Sequence, residues 1–201
     1  MVRYGTEERF GRIPPPVRVT PRPYAACVTD DEALDAARTL LGAAAQRLRA
    51  AGAPDEALAV FEPARKRLGI TLKPRMKPIG RVWRLGVLLV EPDGGVRATG
   101  GITRAVPPGH VRYAAVSIEA RREVRAAAHR GPFREGETID YDAPRILLTP
   151  DALRTTPGPL LLADGGVRVR WSVSAGDDAA RPLGAYLDER VELLLHPPLG
   201  A

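Results

Sequence analysis

The sequence lacks asparagine, has one glutamine and one cysteine, and contains only three lysines against 27 arginines. The lone Cys27 excludes an intramolecular disulfide and a shared-thiolate metal site, and it favours a reducing compartment. No apolar run approaches the roughly 20 residues that span a bilayer. The N-terminus also lacks the apolar segment of a secretory signal. We therefore expect a cytoplasmic protein that has no membrane partner.

Motifs of the common catalytic classes are absent as well. No glycine precedes a lysine, so there is no P-loop, and neither a dinucleotide fingerprint nor a G-x-S-x-G elbow occurs. His110, His129 and His196 lack zinc-ligand spacing. No serine is followed three positions later by lysine. The sequence therefore predicts no catalytic residue, no metal and no cofactor, and favours a non-enzymatic protein.

Basic residues are abundant but unevenly spread. Part of the arginine excess is typical of GC-rich codon usage, which would distribute arginine evenly along the chain. Residues 70–135 instead carry 13 basic and five acidic side chains, whereas residues 136–201 carry six basic and ten acidic ones. The central basicity therefore indicates a contact with a polyanion.

Three regions are predicted along the chain. The proline-rich residues 1–27 predict an extended arm. Residues 28–72 predict a helical hairpin: Thr29 and Glu32 form a capping box, and Gly52 ends the first helix. A second helix is expected over residues 54–69, kinked at Pro63. Residues 73–201 predict an α+β sheet domain.

The predicted fold class is α+β, with the N-terminal helical hairpin followed by a mostly antiparallel sheet of about five strands and one or two packed helices. Pro74 and Pro78 are expected to exclude regular structure over residues 72–78. Both tryptophans are expected in the core. Strands are predicted over residues 82–90, 96–106, 138–142, 145–148, 159–163 and 167–174, and helices over 117–130 and 183–195. Val191, Leu193 and Leu195 also fit a strand, but the longer pattern in this segment is the helical one.

Cationic side chains concentrate in the loop that precedes the sheet, in the next strand and on one helix. Arginine forks match phosphate oxygens in pairs, so this basic band predicts a polyanion-binding surface. The tryptophans lie on apolar strand faces, which gives little support for base stacking. The predicted binding residues are Lys73, Arg75, Lys77, Arg81, Arg84, Arg121, Arg122 and Arg125.

Two alternatives remain open. Glu137, Asp140 and Asp142 cluster near one strand and could serve an amide or phosphate-ester hydrolase as acid, base or Mg²⁺ ligands. The other is a protein–protein module, in which the acidic C-terminal part of one chain meets the basic band of a second copy or of a partner. The leading hypothesis is a binding or adaptor protein whose basic surface meets RNA, DNA or another polyanion.

Several segments resemble a known family. Residues 73–89 (KPRMKPIGRVWRLGVLL), residues 119–127 and the Gly136–Asp142 stretch are similar to small actinobacterial proteins, some of which carry the automatic label glutaminase. The label implies amide hydrolysis of glutamine. Serine-dependent glutaminases use a Ser-x-x-Lys pair, and glutamine amidotransferases use a cysteine in a glycine-flanked elbow. Neither pattern is present, so the resemblance assigns no catalytic residue.

Overall fold

The structure is a computed structural model that describes residues 28–67, 69–107, 116–172 and 176–198, so the predicted arm at 1–27 lies outside the described residues. The chain forms a mixed α+β fold with a curled main sheet, as the predicted fold class requires. The elements are α1 (Asp30–Ala50), β1 (Glu56–Glu62), β2 (Arg65–Arg67), β3 (Ile70–Leu72), β4 (Arg75–Leu85), β5 (Leu88–Val90), β6 (Val96–Ala98), β7 (Gly101–Arg104), α2 (Val116–His129), β8 (Thr138–Tyr141), α3 (Pro150–Thr155), β9 (Leu160–Ala163), β10 (Gly166–Val169), β11 (Arg181–Pro182) and α4 (Leu183–Leu195).

The first helix begins with the predicted capping box. The Thr29 hydroxyl accepts a hydrogen bond from the Glu32 backbone N–H at 3.3 Å, and the Glu32 carboxylate accepts from the Thr29 N–H at 2.8 Å. The hydrogen bond from this N–H lowers the pKa of Glu32. Gly52, with φ 63°, follows the helix end in the left-handed region that glycine tolerates.

The predicted second helix over residues 54–69 is wrong, because residues 56–62 form strand β1. This strand lies inside the main sheet, antiparallel to β4 and parallel to β8. Its alternating small and large residues suit a strand that is covered on both faces: Ala57, Leu58 and Ala59 are all buried. Pairing on both sides outweighed a local helix preference, which is a weak determinant of structure.

The main sheet has six strands in the order β6-β5-β4-β1-β8-β7, and among these strands only the β1–β8 pair is parallel. Regular structure extends into residues 72–78, contrary to the prediction, since β4 includes Pro78. A register shift in β1 between Leu58 and Ala59 accommodates it, with Leu58 opposite Gly80 and Ala59 opposite Pro78. The strand predicted over 82–90 is instead split at Gly86, where φ is 63°.

The curled main sheet closes on itself through the segment that follows β8. The Ala98 N–H of β6 donates to the Pro144 carbonyl at 3.0 Å, and Ile146 N–H donates to the Val96 carbonyl at 2.9 Å. The strand predicted over 145–148 is reduced to a single bridge between Arg97 and Arg145. This closure buries Leu58, Val82, Leu89 and Ala143 on the inner face of the sheet.

The largest core lies on the outer face, where α1 and α4 pack on the β4–β5 end of the main sheet and on the small β11-β10-β9 sheet. The predicted C-terminal helix is confirmed as α4. Trp83 is in this core, as expected, and its indole N–H donates to the Ala53 carbonyl at 3.2 Å. The prediction for Trp171 is wrong: β10 ends at Val169, and the Trp171 side chain is 55% exposed. None of the helices in the described ranges is long and apolar enough to cross a membrane.

Candidate functional site

A two-stranded hairpin extends beyond the main sheet and carries three residues of the predicted basic band, Lys73, Arg75 and Lys77. The β1–β4 pairing continues past Glu62 and Arg75 into the short β2–β3 pair, and the chain reverses before Ile70. We call residues 62–77 the basic ribbon. Six of its residues are cationic and one is acidic. Ile70 and Leu72 of β3 are both exposed, so this part of the ribbon projects apolar side chains into solvent.

Four cations of the basic ribbon project into solvent without a carboxylate partner. Arg65, Lys66, Lys73 and Lys77 are exposed and form no ion pair with any described residue. Arg75 does form one, at 2.7 Å from the Glu62 carboxylate. That hydrogen bond lowers the pKa of Glu62, and the nearby charges of Arg65 and Lys77 lower it further. The single acidic group of the ribbon therefore lies in a strongly positive field.

Helix α2 holds the base of the basic ribbon in place. The Arg130 guanidinium, just after the helix end, donates two hydrogen bonds to the Pro74 carbonyl, at 2.8 and 2.6 Å. Met76 is buried against Ala127 and Ala128 of the helix. The ribbon thus leaves the sheet from a fixed position, and its cations are presented by a supported backbone.

Arg81, one of the predicted binding residues, is committed to internal pairing. Its guanidinium bonds Asp55, just before β1, at 2.7 Å and Glu137, just before β8. The Asp55 hydrogen bond outweighs the opposing effect of burial and, together with Glu137, raises the pKa of Arg81. Burial would raise the pKa of Glu137, but hydrogen bonds from Arg81 and the Arg134 N–H lower it overall. Arg81 therefore joins the starts of two parallel strands.

Arg84 forms a second connection of the same kind. It bonds Glu56 of β1 at 3.2 Å and the carboxylate of Asp140 on β8, which is completely buried. Asp140 Oδ1 accepts this bond, whereas Oδ2 has no hydrogen-bond partner among the described residues. Arg81 and Arg84 each reach from β4 past β1 to β8, and neither offers a free guanidinium to a ligand.

The three predicted arginines of α2 separate into two kinds. Arg122 pairs with Glu119 at 3.5 Å on the same helix. Arg121 and Arg125 are exposed, have no ion-pair partner in the described part of the chain, and line a cavity beside β7 and β8. They lie in the middle of α2, whereas the basic ribbon contacts Ala127 and Ala128 at its C-terminal end and Arg130 just beyond it. The exposed, unpaired residues of the predicted basic band therefore fall into two groups, Lys73 and Lys77 on the basic ribbon and Arg121 and Arg125 beside the cavity.

The carboxylates of the hydrolase alternative have structural partners. Glu137 pairs with Arg81 and Asp140 with Arg84. Asp142 has a φ of 52°, and its Oδ1 accepts from the Phe61 N–H at 3.0 Å, which ends the β1–β8 pairing. No group of three or more His, Cys, Asp or Glu residues placed to hold a metal occurs among the described residues.

The sequence interpretation missed three exposed cations. The predicted helix over residues 54–69 includes Arg65 and Lys66, which lie instead on the basic ribbon, and Arg104 at the end of β7 lines the cavity with Arg121. One compositional signal could have identified the ribbon. All three lysines of the chain, Lys66, Lys73 and Lys77, fall within 12 consecutive positions of an otherwise arginine-dominated protein.

Comparisons with known proteins add no assignment, since the chain matches no protein-family model, no curated protein and no solved structure.

Proposed function

We propose that this protein is a non-enzymatic binding protein that engages RNA or DNA through the basic ribbon. The observation that carries the proposal is the set of four exposed cations, unpaired within the described residues, on a hairpin whose base is anchored to α2. Cations that already pair with carboxylates gain little from meeting a phosphate. Unpaired ones can replace the condensed counterions of a nucleic acid, and the release of those counterions drives binding.

The shape of the basic ribbon supports the same proposal. A two-stranded β-ribbon fits the major groove of B-form DNA, and the wide minor groove of A-form RNA is accessible as well. Lys66 lies near the tip opposite Thr71, Lys73 follows β3 toward the main sheet, and Lys77 lies within the main sheet opposite Val60. Cations spread along a ribbon in this way can contact successive phosphates without reading base edges. Binding with little sequence preference follows from this arrangement.

The proposal is tested by fluorescence anisotropy of labelled duplex DNA, duplex RNA and single-stranded RNA across a salt series. The wild-type affinity is expected to fall linearly on a log–log plot against salt concentration. The triple variant K66A/K73A/K77A is expected to bind about tenfold or more weakly at low salt and to lower the slope by roughly two to three.

A matched control removes the same charge elsewhere. The triple variant R38A/R47A/R154A removes three arginines of α1 and α3 that pair with acidic residues, and it leaves the basic ribbon intact. It is expected to change the affinity by less than about twofold, because exposed ion pairs contribute little to the fold and these arginines are not free. Equal losses in the two triple variants, or an affinity that ignores salt, would contradict the proposal.

A further inference from the structure

A cavity of about 660 Å³ lies beside the middle of α2, and no residue of the basic ribbon lines it. It is lined by β7, by the middle of α2, by the first residue of β1 and by both ends of β8. This volume is in the range of about 300–1,000 Å³ that is typical of small-molecule sites. The strands that line the cavity are hydrogen-bonded to one another in the main sheet, because β8 pairs with both β7 and β1.

The charge of the cavity is strongly one-sided. Arg104, Arg121 and Arg125 line it, and none of them has an acidic partner in the described part of the chain. Glu56 is the one carboxylate of the lining, against three arginines, and it forms an ion pair with Arg84. A second cavity, of about 550 Å³, also has two arginines in its lining, but Arg154 pairs with Asp30 and Arg170 with Asp177. Of these two cavities, the first alone presents guanidinium groups that no described carboxylate neutralises.

The remaining walls can receive an uncharged molecular body. Val124 of α2, Ile102 of β7 and the ring of Tyr141 contribute apolar surface, and Ile102 is 56% exposed. The Tyr141 ring is held in place because it packs over Gly101, directly opposite it in the sheet, where a side chain would collide with the ring. Thr103 and Thr138 add hydroxyl groups that can donate or accept hydrogen bonds.

We propose that this cavity binds a small organic phosphate, with the phosphate held by Arg104, Arg121 and Arg125 and the apolar body placed against Val124 and Tyr141. Guanidinium groups bind phosphate oxygens in a bidentate manner, and three of them can surround one dianion. The site is separate from the basic ribbon, so it does not depend on binding of nucleic acid by the ribbon.

The proposal is tested by isothermal titration calorimetry with phenyl phosphate, inorganic phosphate and benzoate. Phenyl phosphate is expected to bind more tightly than either of the other two probes, because it combines the dianion with an apolar ring. The variant R121A/R125A is expected to weaken phenyl phosphate binding by about tenfold or more, the usual consequence of removing charge-assisted hydrogen bonds. Both arginines are exposed, so the variant is expected to fold, which circular dichroism checks.

Arg122 provides the matched control, since it is on the same helix, pairs with Glu119 and does not line the cavity. R122A is expected to change the affinity by less than about twofold. The proposal is overturned if R122A weakens binding as much as R121A alone does, because the effect would then come from general surface charge. It is also overturned if phenyl phosphate and inorganic phosphate bind with equal affinity. Absence of measurable binding of all three probes would also overturn it. K66A/K73A/K77A is expected to leave phenyl phosphate binding unchanged, which separates this test from that of the basic ribbon.

Discussion

Arg84 on β4 forms an ion pair with the fully buried carboxylate of Asp140 on β8, although β1 lies between these two strands. Arg81, three residues before Arg84, makes the corresponding connection to Glu137, which is three residues before Asp140. A long β4 thus carries two arginines that span its neighbour. These pairs tie together the parallel β1–β8 contact of the main sheet and give two prominent arginines a role within the fold.

Removal of Arg84 is expected to destabilise the protein strongly. The variant R84M leaves the buried Asp140 carboxylate without a counter-charge, which typically costs about 3–5 kcal/mol of unfolding free energy. Replacing both partners, as in R84M/D140L, is expected to recover most of that loss, because no uncompensated charge then remains. Urea unfolding followed by circular dichroism measures both effects.

Arg47 supplies the control for this comparison, because its pair with Glu192 on α4 is exposed. R47M is expected to cost no more than about 1 kcal/mol. If R84M and R47M lowered the free energy of unfolding equally, the burial of Asp140 would have no energetic consequence and the proposed role of Arg84 would be wrong.

The turn between β4 and β5 is expected to tolerate only glycine at position 86. Gly86 has a φ of 63°, and a Cβ there would overlap the Tyr186 hydroxyl, which donates to the Leu85 carbonyl and accepts from the Val87 N–H, both at 3.0 Å. Gly86→Ala is expected to lower the unfolding free energy by about 1–3 kcal/mol. In a Tyr186→Phe background the same change is expected to cost less, since the overlap is removed.

Gly166→Ala is the control for the turn, because Gly166 has no positive φ and no atom lies within 4 Å of the position that a Cβ would occupy there. This substitution is expected to change stability by no more than about 0.5 kcal/mol. Thermal melts of Gly86→Ala, Tyr186→Phe, the double variant and Gly166→Ala measure these differences in stability. Strictly additive effects of the Gly86 and Tyr186 changes would show that the hydroxyl does not restrict the turn.

The Glu137–Arg81 pair is expected to make stability depend on pH in the acidic range. The pKa of Glu137 is lower in the folded protein than its ordinary value near 4.5. Its contribution is therefore fully present above that ordinary value and is lost as the pH falls through the folded-state pKa. The stability difference between wild type and Glu137→Gln is expected to narrow when urea midpoints are compared from about pH 7 to pH 3. A difference that stays constant over this range would contradict the pairing.

Replacement of the single carboxylate of the basic ribbon is expected to strengthen the proposed binding of nucleic acid. Glu62→Gln removes an acidic group and releases Arg75 from its ion pair. We expect a severalfold higher affinity for nucleic acid at low salt. The slope of log affinity against log salt concentration is expected to steepen by about one, which corresponds to one additional phosphate contact. Anisotropy measures both, with Glu192→Gln on α4 as a charge-matched control. Identical gains from the two substitutions would indicate long-range charge alone.

Local signals in the sequence were sufficient for several elements. The capping box at Thr29 and the helices ending near His129 and Leu195 were predicted, because capping and helical periodicity act over a few residues. The excess of positive charge in the central segment was also evident from the composition. Such features depend on residues that are neighbours along the chain.

Tertiary structure decided the rest. Residues 56–62 became a strand because β4 and β8 pair with it on both sides, and β8 follows it by more than 70 residues. The eight predicted binding residues are chemically alike in the sequence, but the fold gives Arg81 and Arg84 buried or partly buried acidic partners and leaves Lys73 and Arg121 without one among the described residues. The sequence by itself determined how much positive charge the chain carries and roughly where. Only the folded chain decided which charges remain available, because ion pairing depends on distances between residues that are far apart in sequence.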